Sequence, residues 1–224
     1  MPNARDTAPA EATHVATTAE EAAKIEPRAE FRVFGHGIID VVSTRMWNGK
    51  TVLQHARTMP VETYFVSRHT QGVNVKVRDG LLDIKVKTGE TEEGYEVFQP
   101  RGKFTFPVSR KDLATILSQL KVEMPAELTG TETCTFEAFL AAVRRHSDLV
   151  PVTVEKTRWG FTIDGVICEY AKVRLNGALL ESACVESADH AAMRAVIEEL
   201  GLSARPNVNY PKALARVVGA SAVS

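Results

Sequence analysis

The 224-residue sequence has only three cysteines, Cys134, Cys168 and Cys184, odd in number and far apart. No CxxC pair and no Cys/His zinc spacing occurs, which argues against a disulfide framework or a zinc ribbon and for a reducing compartment. Cys168 and Cys184 could meet if their strands pair, but spacing does not decide it. No apolar run approaches the ~20 residues of a membrane span. The N-terminal segment lacks the apolar stretch of a signal peptide, so the expected location is cytoplasmic, with no membrane partner. A net charge of −1 argues against a protein that coats nucleic acid through bulk charge, and any anion site must come from local clustering. There is no solenoid repeat. Oligomeric state is not legible.

What is present begins with residues 73–87, VNVKVRDGLLDIKVK. Two apolar runs meet at Asp79-Gly80, the strongest short-range signal for a hairpin turn. Strand side chains alternate, so Val73, Val75 and Val77 share one face while Asn74, Lys76 and Arg78 share the other. Across the turn Leu82, Ile84 and Val86 oppose Asp83, Lys85 and Lys87. Four cations therefore fall on one face of two paired strands. Like charges side by side destabilise a sheet unless an anion sits between them.

Around this hairpin the pattern predicts strands at 30–35, 51–54, 61–67, 95–99 and 103–108, with Pro100 and Gly102 interrupting the last two. Residues 38–47 read as helix or strand. Ser109 reads as an N-cap for a helix carrying Leu113, Ile116, Leu117 and Leu120. A second helix shows the stripe Phe136, Phe139, Leu140 and Val143 and ends in Arg144, Arg145 and His146, which suit a helix C-terminus. From residue 150 the chain returns to strands: 152–163, 166–175 and 178–187 meet at Asp164-Gly165 and Asn176-Gly177, an antiparallel meander. Residues 189–200 are an amphipathic helix capped by Gly201, and 210–218 form a last short helix. Residues 1–27, with a short helix possible over 19–25, read as a disordered tail; 28–218 read as one domain and 219–224 as a second tail. Eight or nine strands with polar residues on a face that should be internal imply an α+β protein built on a closed antiparallel barrel with flanking helices.

The later strands repeat the feature of the hairpin. Lys156 and Arg158 share a face with Val152 and Val154, so three strands each carry two cations at i, i+2. Glutamates recur within strands at 30, 96, 169, 181 and 186. Interleaved carboxylates can hold Mg²⁺ or Mn²⁺, which take oxygen ligands, while basic side chains clamp the remaining phosphate charge. Cross-strand salt bridges on a wet sheet are the competing account.

In order, TYF (63–65), VKVRDG (75–80), LDIKVK (82–87), YEV (95–97), VEKTRW (154–159), the meander ending VES (185–187) and NYPKAL (209–214) resemble the CYTH domain, or triphosphate tunnel metalloenzyme superfamily, as a divergent member. The resemblance spans roughly residues 29–215. It implies an eight-stranded antiparallel barrel whose interior binds a triphosphate-containing small molecule. Lys76, Arg78, Lys85, Lys87, Lys156 and Arg158 would bind phosphate. Glu30, Glu96, Glu169 and Glu186 would hold Mg²⁺ or Mn²⁺. The implied activity is metal-dependent hydrolysis of an inorganic, nucleotide or thiamine triphosphate; alternatives are a noncatalytic polyphosphate-binding module and an adenylyl cyclase-like activity. The family's opening ExExK is only partly kept: Glu30 stands, but Arg32 and Phe34 take the other two places, and Cys184 stands where a paired glutamate is expected. An alternative register would use Glu62. No catalytic residue is assigned.

Overall fold

The structure is a computed structural model that describes residues 27–48 and 51–220. The tail expected over residues 1–27 (residue 27 apart), its helix over 19–25, and the end of the chain beyond residue 220 lie outside the described residues.

The chain starts with strand β1 (Arg28–Gly35) and helix α1 (Ile38–Met46), which settles the ambiguous segment as helix. Ile38, Val42 and Met46 give α1 one buried stripe at helical spacing. Strands β2 (Val52–Thr58), β3 (Glu62–Ser67), β4 (Val73–Arg78), β5 (Leu81–Glu90) and β6 (Glu96–Thr105) follow. The interruption expected at Pro100 and Gly102 does not occur. Pro100 lies opposite Lys85 where the β5–β6 register slips, and such a bulge absorbs a residue that cannot donate to the ladder. Two short strands not expected from the pattern, β7 (Val108–Ser109) and β8 (Thr133–Cys134), pair to flank helix α2 (Arg110–Gln119). Helix α3 (Phe136–Arg145) leads to β9 (Leu149–Ile163), β10 (Val166–Leu175) and β11 (Ala178–Ser187). Helices α4 (His190–Glu199) and α5 (Tyr210–Val217) complete the order. Ser109, Thr135, Asp189 and Asn209 each cap a helix by accepting a hydrogen bond from a backbone N–H three residues on.

Three hairpins turn at Asp79-Gly80, Asp164-Gly165 and Asn176-Gly177, where both central residues have positive φ. That is the geometry whose twist matches the flanking strands, and it is why Asx-Gly stands at each. The resulting meander closes on itself. Eight strands run in the ring β10–β11–β1–β6–β5–β4–β3–β9, and the β9–β10 ladder joins its ends. The expected closed antiparallel barrel is therefore present. β9 makes closure possible by its length. One edge pairs with β10 over residues 154–163; the other pairs with β3 over 149–154 and then with β2 over 157–162.

Three apolar clusters divide the strands by side-chain parity. Phe31, Val33, Tyr170 and Val185 face outward under α1 and α4. Val75, Val77, Leu82, Ile84 and Phe65 face outward under α2 and α3. Inside the ring, Tyr64, Val66, Val152, Val154, Val173 and Leu175 pack against Tyr210, Leu214 and Ala215 of α5, so the last helix fills one end of the lumen. Cys168 lies on the outer face with the first cluster, whereas Cys184 shares the inward face with Glu169, its partner in the ladder. The two thiols point to opposite sides of the sheet, and all three cysteines are free.

Phe139 of α3 is fully buried, with its ring 4.7 Å from that of Phe65. Phe139→Ala is expected to lower unfolding free energy by about 3–5 kcal/mol, read from the shift in urea midpoint at unchanged slope.

Candidate functional site

Parity places one set of charged residues of β1, β4, β5, β9, β10 and β11 inside the barrel, above the apolar end filled by α5. A lumen this enclosed favours charges in compensated groups. Three buried or nearly buried carboxylates organise them.

Glu62, at the start of β3, has no solvent exposure. Its Oε1 accepts from Lys76 Nζ at 2.9 Å and Arg78 Nη1 at 3.3 Å. Its Oε2 lies 2.6 Å from Lys156 Nζ and accepts from the Tyr64 hydroxyl at 3.2 Å. Burial pushes this carboxyl up, but Lys76 and Lys156 outweigh burial and bring it down to about 2. Burial and the neighbouring Lys76 lower Lys156 to about 8.

Glu96 is the second centre. It accepts from Lys87 Nζ at 3.0 Å, Lys212 Nζ at 2.6 Å and Asn209 Nδ2 at 2.9 Å. Lys87 also donates to Glu90 at 2.6 Å.

Glu169 is the third. Arg32 Nη1 donates to it at 3.3 Å, and Arg158 Nε lies 2.8 Å away without hydrogen-bond alignment. Arg32 also donates from Nε to Glu30 at 2.9 Å and from Nη1 to Ser182 Oγ at 3.3 Å. The Tyr210 ring lies beneath two of these cations, 4.9 Å from the Arg32 guanidinium and 5.1 Å from Lys156 Nζ, and stacks on Tyr64.

One cavity of ≈ 160 Å³ opens among these groups. Of the residues expected to bind phosphate, Lys76, Lys85, Lys156 and Arg158 line it; of the expected metal ligands, Glu30, Glu169 and Glu186 do. Arg78, Lys87 and Glu96 are not on its wall. Arg78 reaches Glu62 from a small cleft that shares Asp83 with the cavity, and Lys87 is held by Glu90 and Glu96. Arg32, Tyr64, Asn74, Asp83 and Tyr210 line the cavity without having been singled out as ligands. Asp83 and Asn74 were legible from hairpin parity alone; Glu62 appeared only as an alternative register. A second cavity of ≈ 440 Å³, bordered by Arg28, Gln54 and His55, shares Arg158, Glu169 and Glu186 with the first, so the charged cluster is reached from two sides. His55 covers Gly160 there, where an added Cβ would lie 2.3 Å from the ring.

Glu30 stands opposite Glu186 across the β1–β11 ladder, and Arg32 stands opposite Cys184. Glu30, Cys184 and Glu186 bring one ligand atom each within 4.8 Å of one another, a group that could hold a metal ion. Burial and the Glu30 charge raise the Glu186 carboxyl; Glu30 is lowered because Arg32 outweighs its burial. Burial holds the Cys184 thiol well above its ordinary value. The donor set fits Mg²⁺ or Mn²⁺ poorly: those ions select oxygen, one donor here is sulfur, and Glu30 is already engaged by a guanidinium.

No family model and no curated protein sequence matches the chain. Among solved structures, the chain is similar to a Hippeastrum protein described as an adenylyl cyclase candidate with a dominant triphosphatase activity. Identity is 11%, the TM-score is 0.46, and 89% of this chain and 98% of that one are covered. A conserved hypothetical protein of Pyrococcus furiosus aligns at 16% identity and TM-score 0.43, over 82% and 98% of the two chains. A Bacillus halodurans protein described as an adenylate cyclase candidate aligns at 11% and 0.42, over 83% and 95%. The strand pairing itself gives an eight-stranded antiparallel ring around an ionisable lumen, with α5 closing one end. No helix among the described residues is long and apolar enough to cross a membrane.

The Glu62 centre makes a pH prediction. Its folded pKa lies below the unfolded value of 4.5, so its contribution is complete above that value and is lost as pH falls toward 2. The shift corresponds to about 3 kcal/mol. Glu62→Gln is expected to destabilise the protein by about 3–5 kcal/mol at neutral pH. In urea unfolding at about pH 7 and about pH 3 the gap between the two proteins should shrink at the lower value; an unchanged gap would show that ionisation of Glu62 is not what stabilises the barrel.

Proposed function

We propose that this CYTH-like barrel binds a triphosphate-bearing small molecule in its lumen. The observation that carries the reading is convergence: Arg32, Lys76, Lys85, Lys156 and Arg158, from four strands, line one cavity with Asn74 and two tyrosines. Phosphate oxygens are strong acceptors for such charge-assisted donors, and guanidinium and ammonium groups spread over several strands suit an extended anion better than a single carboxylate. A triphosphate, inorganic or carried by a nucleotide or thiamine, is the ligand class the sequence resemblance implies. The protein is read as cytoplasmic.

The wall is not simply positive. Five basic side chains face four carboxylates, and most of the cations are already in ion pairs. Lys85 differs: it is exposed at the mouth and has no ion pair among the described residues. It acts on Glu30 and Glu186 only through space, without an ion pair to break when a phosphate arrives.

Metal-dependent hydrolysis is the second reading; Glu30, Cys184 and Glu186 are the one candidate ion group among the described residues, and the thiol and the guanidinium on Glu30 weigh against it. Cyclisation of ATP would be a further outcome on the same scaffold.

Calorimetric titration with tripolyphosphate, ATP and thiamine triphosphate tests the binding reading; no saturable heat with any of them would remove it. Lys85→Ala should weaken binding about tenfold, the worth of one charge-assisted hydrogen bond, and leave the melting temperature unchanged. Lys172→Ala, on the outer surface, is the control. Phosphate release with and without Mn²⁺ separates hydrolysis from binding alone.

A further inference from the structure

We propose that Arg32 is a resident cation that takes over the electrostatic role of a divalent metal, so that the lumen binds its polyphosphate ligand without added metal. The inference rests on the binding reading above.

Arg32 is almost completely buried, at 5% exposure, and is fixed at both ends. Its backbone N–H donates to Asn207 Oδ1 at 3.0 Å, and its carbonyl accepts from the Val208 N–H at 2.7 Å. Its guanidinium spans Glu30 on β1 and Glu169 on β10, with Ser182 of β11 beside it and the Tyr210 ring beneath. A planar fork anchored this way stays in place when a ligand arrives, and its charge does not dissociate. A divalent ion entering between the same carboxylates would meet a fixed positive charge in a poorly screened interior.

Two of the three departures from the family pattern, Arg32 and Cys184, fall on one spot. Arg32 and Cys184 are direct partners in the β1–β11 ladder. Two carboxylates there with a bound divalent cation would sum to zero, whereas a guanidinium facing a neutral thiol sums to one positive charge. The lumen therefore loses no positive potential by dispensing with the ion, and the thiol is a donor that hard cations do not select. What the exchange removes is the Lewis acid, not the anion site.

The test is calorimetry with tripolyphosphate on the intact protein, in excess EDTA and again in excess Mg²⁺. Affinity in EDTA is expected to be equal to or up to about threefold tighter than in Mg²⁺, since the ion sequesters free ligand. Binding that is more than about tenfold tighter with Mg²⁺ overturns the inference while leaving the binding reading intact. Absence of binding in both conditions instead removes the binding reading and this inference with it. Arg32→Gln should lose at least about tenfold in EDTA and not recover on adding Mg²⁺ or Mn²⁺; recovery would show that the metal, not the guanidinium, is the operative charge. If Arg32→Gln does not fold, Arg32→Lys keeps the charge, and its ligand-induced rise in melting temperature in EDTA gives the same readout: a rise supports a charge role and no rise opposes it.

Discussion

The β9–β10 ladder is the constraint from which the rest follows. In an open sheet, an inward charge can turn to water. Once the ring closes, every second residue of eight strands is committed to one enclosed space. Taking an ion out of water costs several kcal/mol, and a single partner rarely offsets it. The lumen accordingly has few isolated pairs. Glu62 holds Lys76, Arg78 and Lys156; Glu96 holds Lys87 and Lys212; Glu169 holds Arg32 and Arg158. Each carboxylate joins side chains from different parts of the ring, so the same groups that could recognise a ligand also fix the relative positions of the strands.

The lumen is divided along its length as well as compensated. Helix α5 fills one end with Leu214 and Ala215 against Val66, Val152, Val173 and Leu175. Tyr210 stands at the boundary. Its ring packs edge-on against Phe34 and flat against Tyr64, while the same ring lies under Arg32 and Lys156. An aromatic face can serve both neighbours because it is apolar in contact and electron-rich toward cations. The polar half is therefore supported by an apolar floor, with no layer of bridging groups needed between them.

Parity was the part of this arrangement most legible in the sequence. The alternation in residues 73–87 and 152–159 assigned Lys76, Lys85, Lys156 and Arg158 to a shared face, and Asx-Gly pairs located three hairpins. Parity gives the face of a strand but not the height of a residue along a tilted barrel. Arg78 and Lys87 have the same parity as Lys76 and Lys85, yet they sit beside rather than on the cavity wall. Height depends on shear and on bulges such as the register slip at Lys85, which have no local sequence signal beyond Pro100 itself. Glu62 was harder still. It is one carboxylate in a segment read for its aromatic and β-branched residues, and its importance comes from three cations that reach it from β4 and β9.

The compensation inside the barrel sets the terms on which any anion can enter. For a phosphate to bind Lys76 or Lys156 it must share them with Glu62, whose carboxylate cannot leave because it has no solvent to move into. The gain is then the difference between two charge-assisted contacts, not the whole of one. Lys85 has no ion pair among the described residues and acts on Glu30 and Glu186 only through space, and Glu169 is the ion-pair partner of Arg158. Arg32 lies between these extremes: its charge is divided among Glu30, Glu169 and a ring face, but its position is fixed by the backbone of β1. An anion entering the lumen would thus meet Lys85 first, at the exposed mouth. Deeper in it would meet groups whose geometry is already set by their ion pairs. That order favours recognition by a preorganised field over closure around the ligand, because the strands that would have to move are tied together by the same carboxylates that the ligand must accommodate.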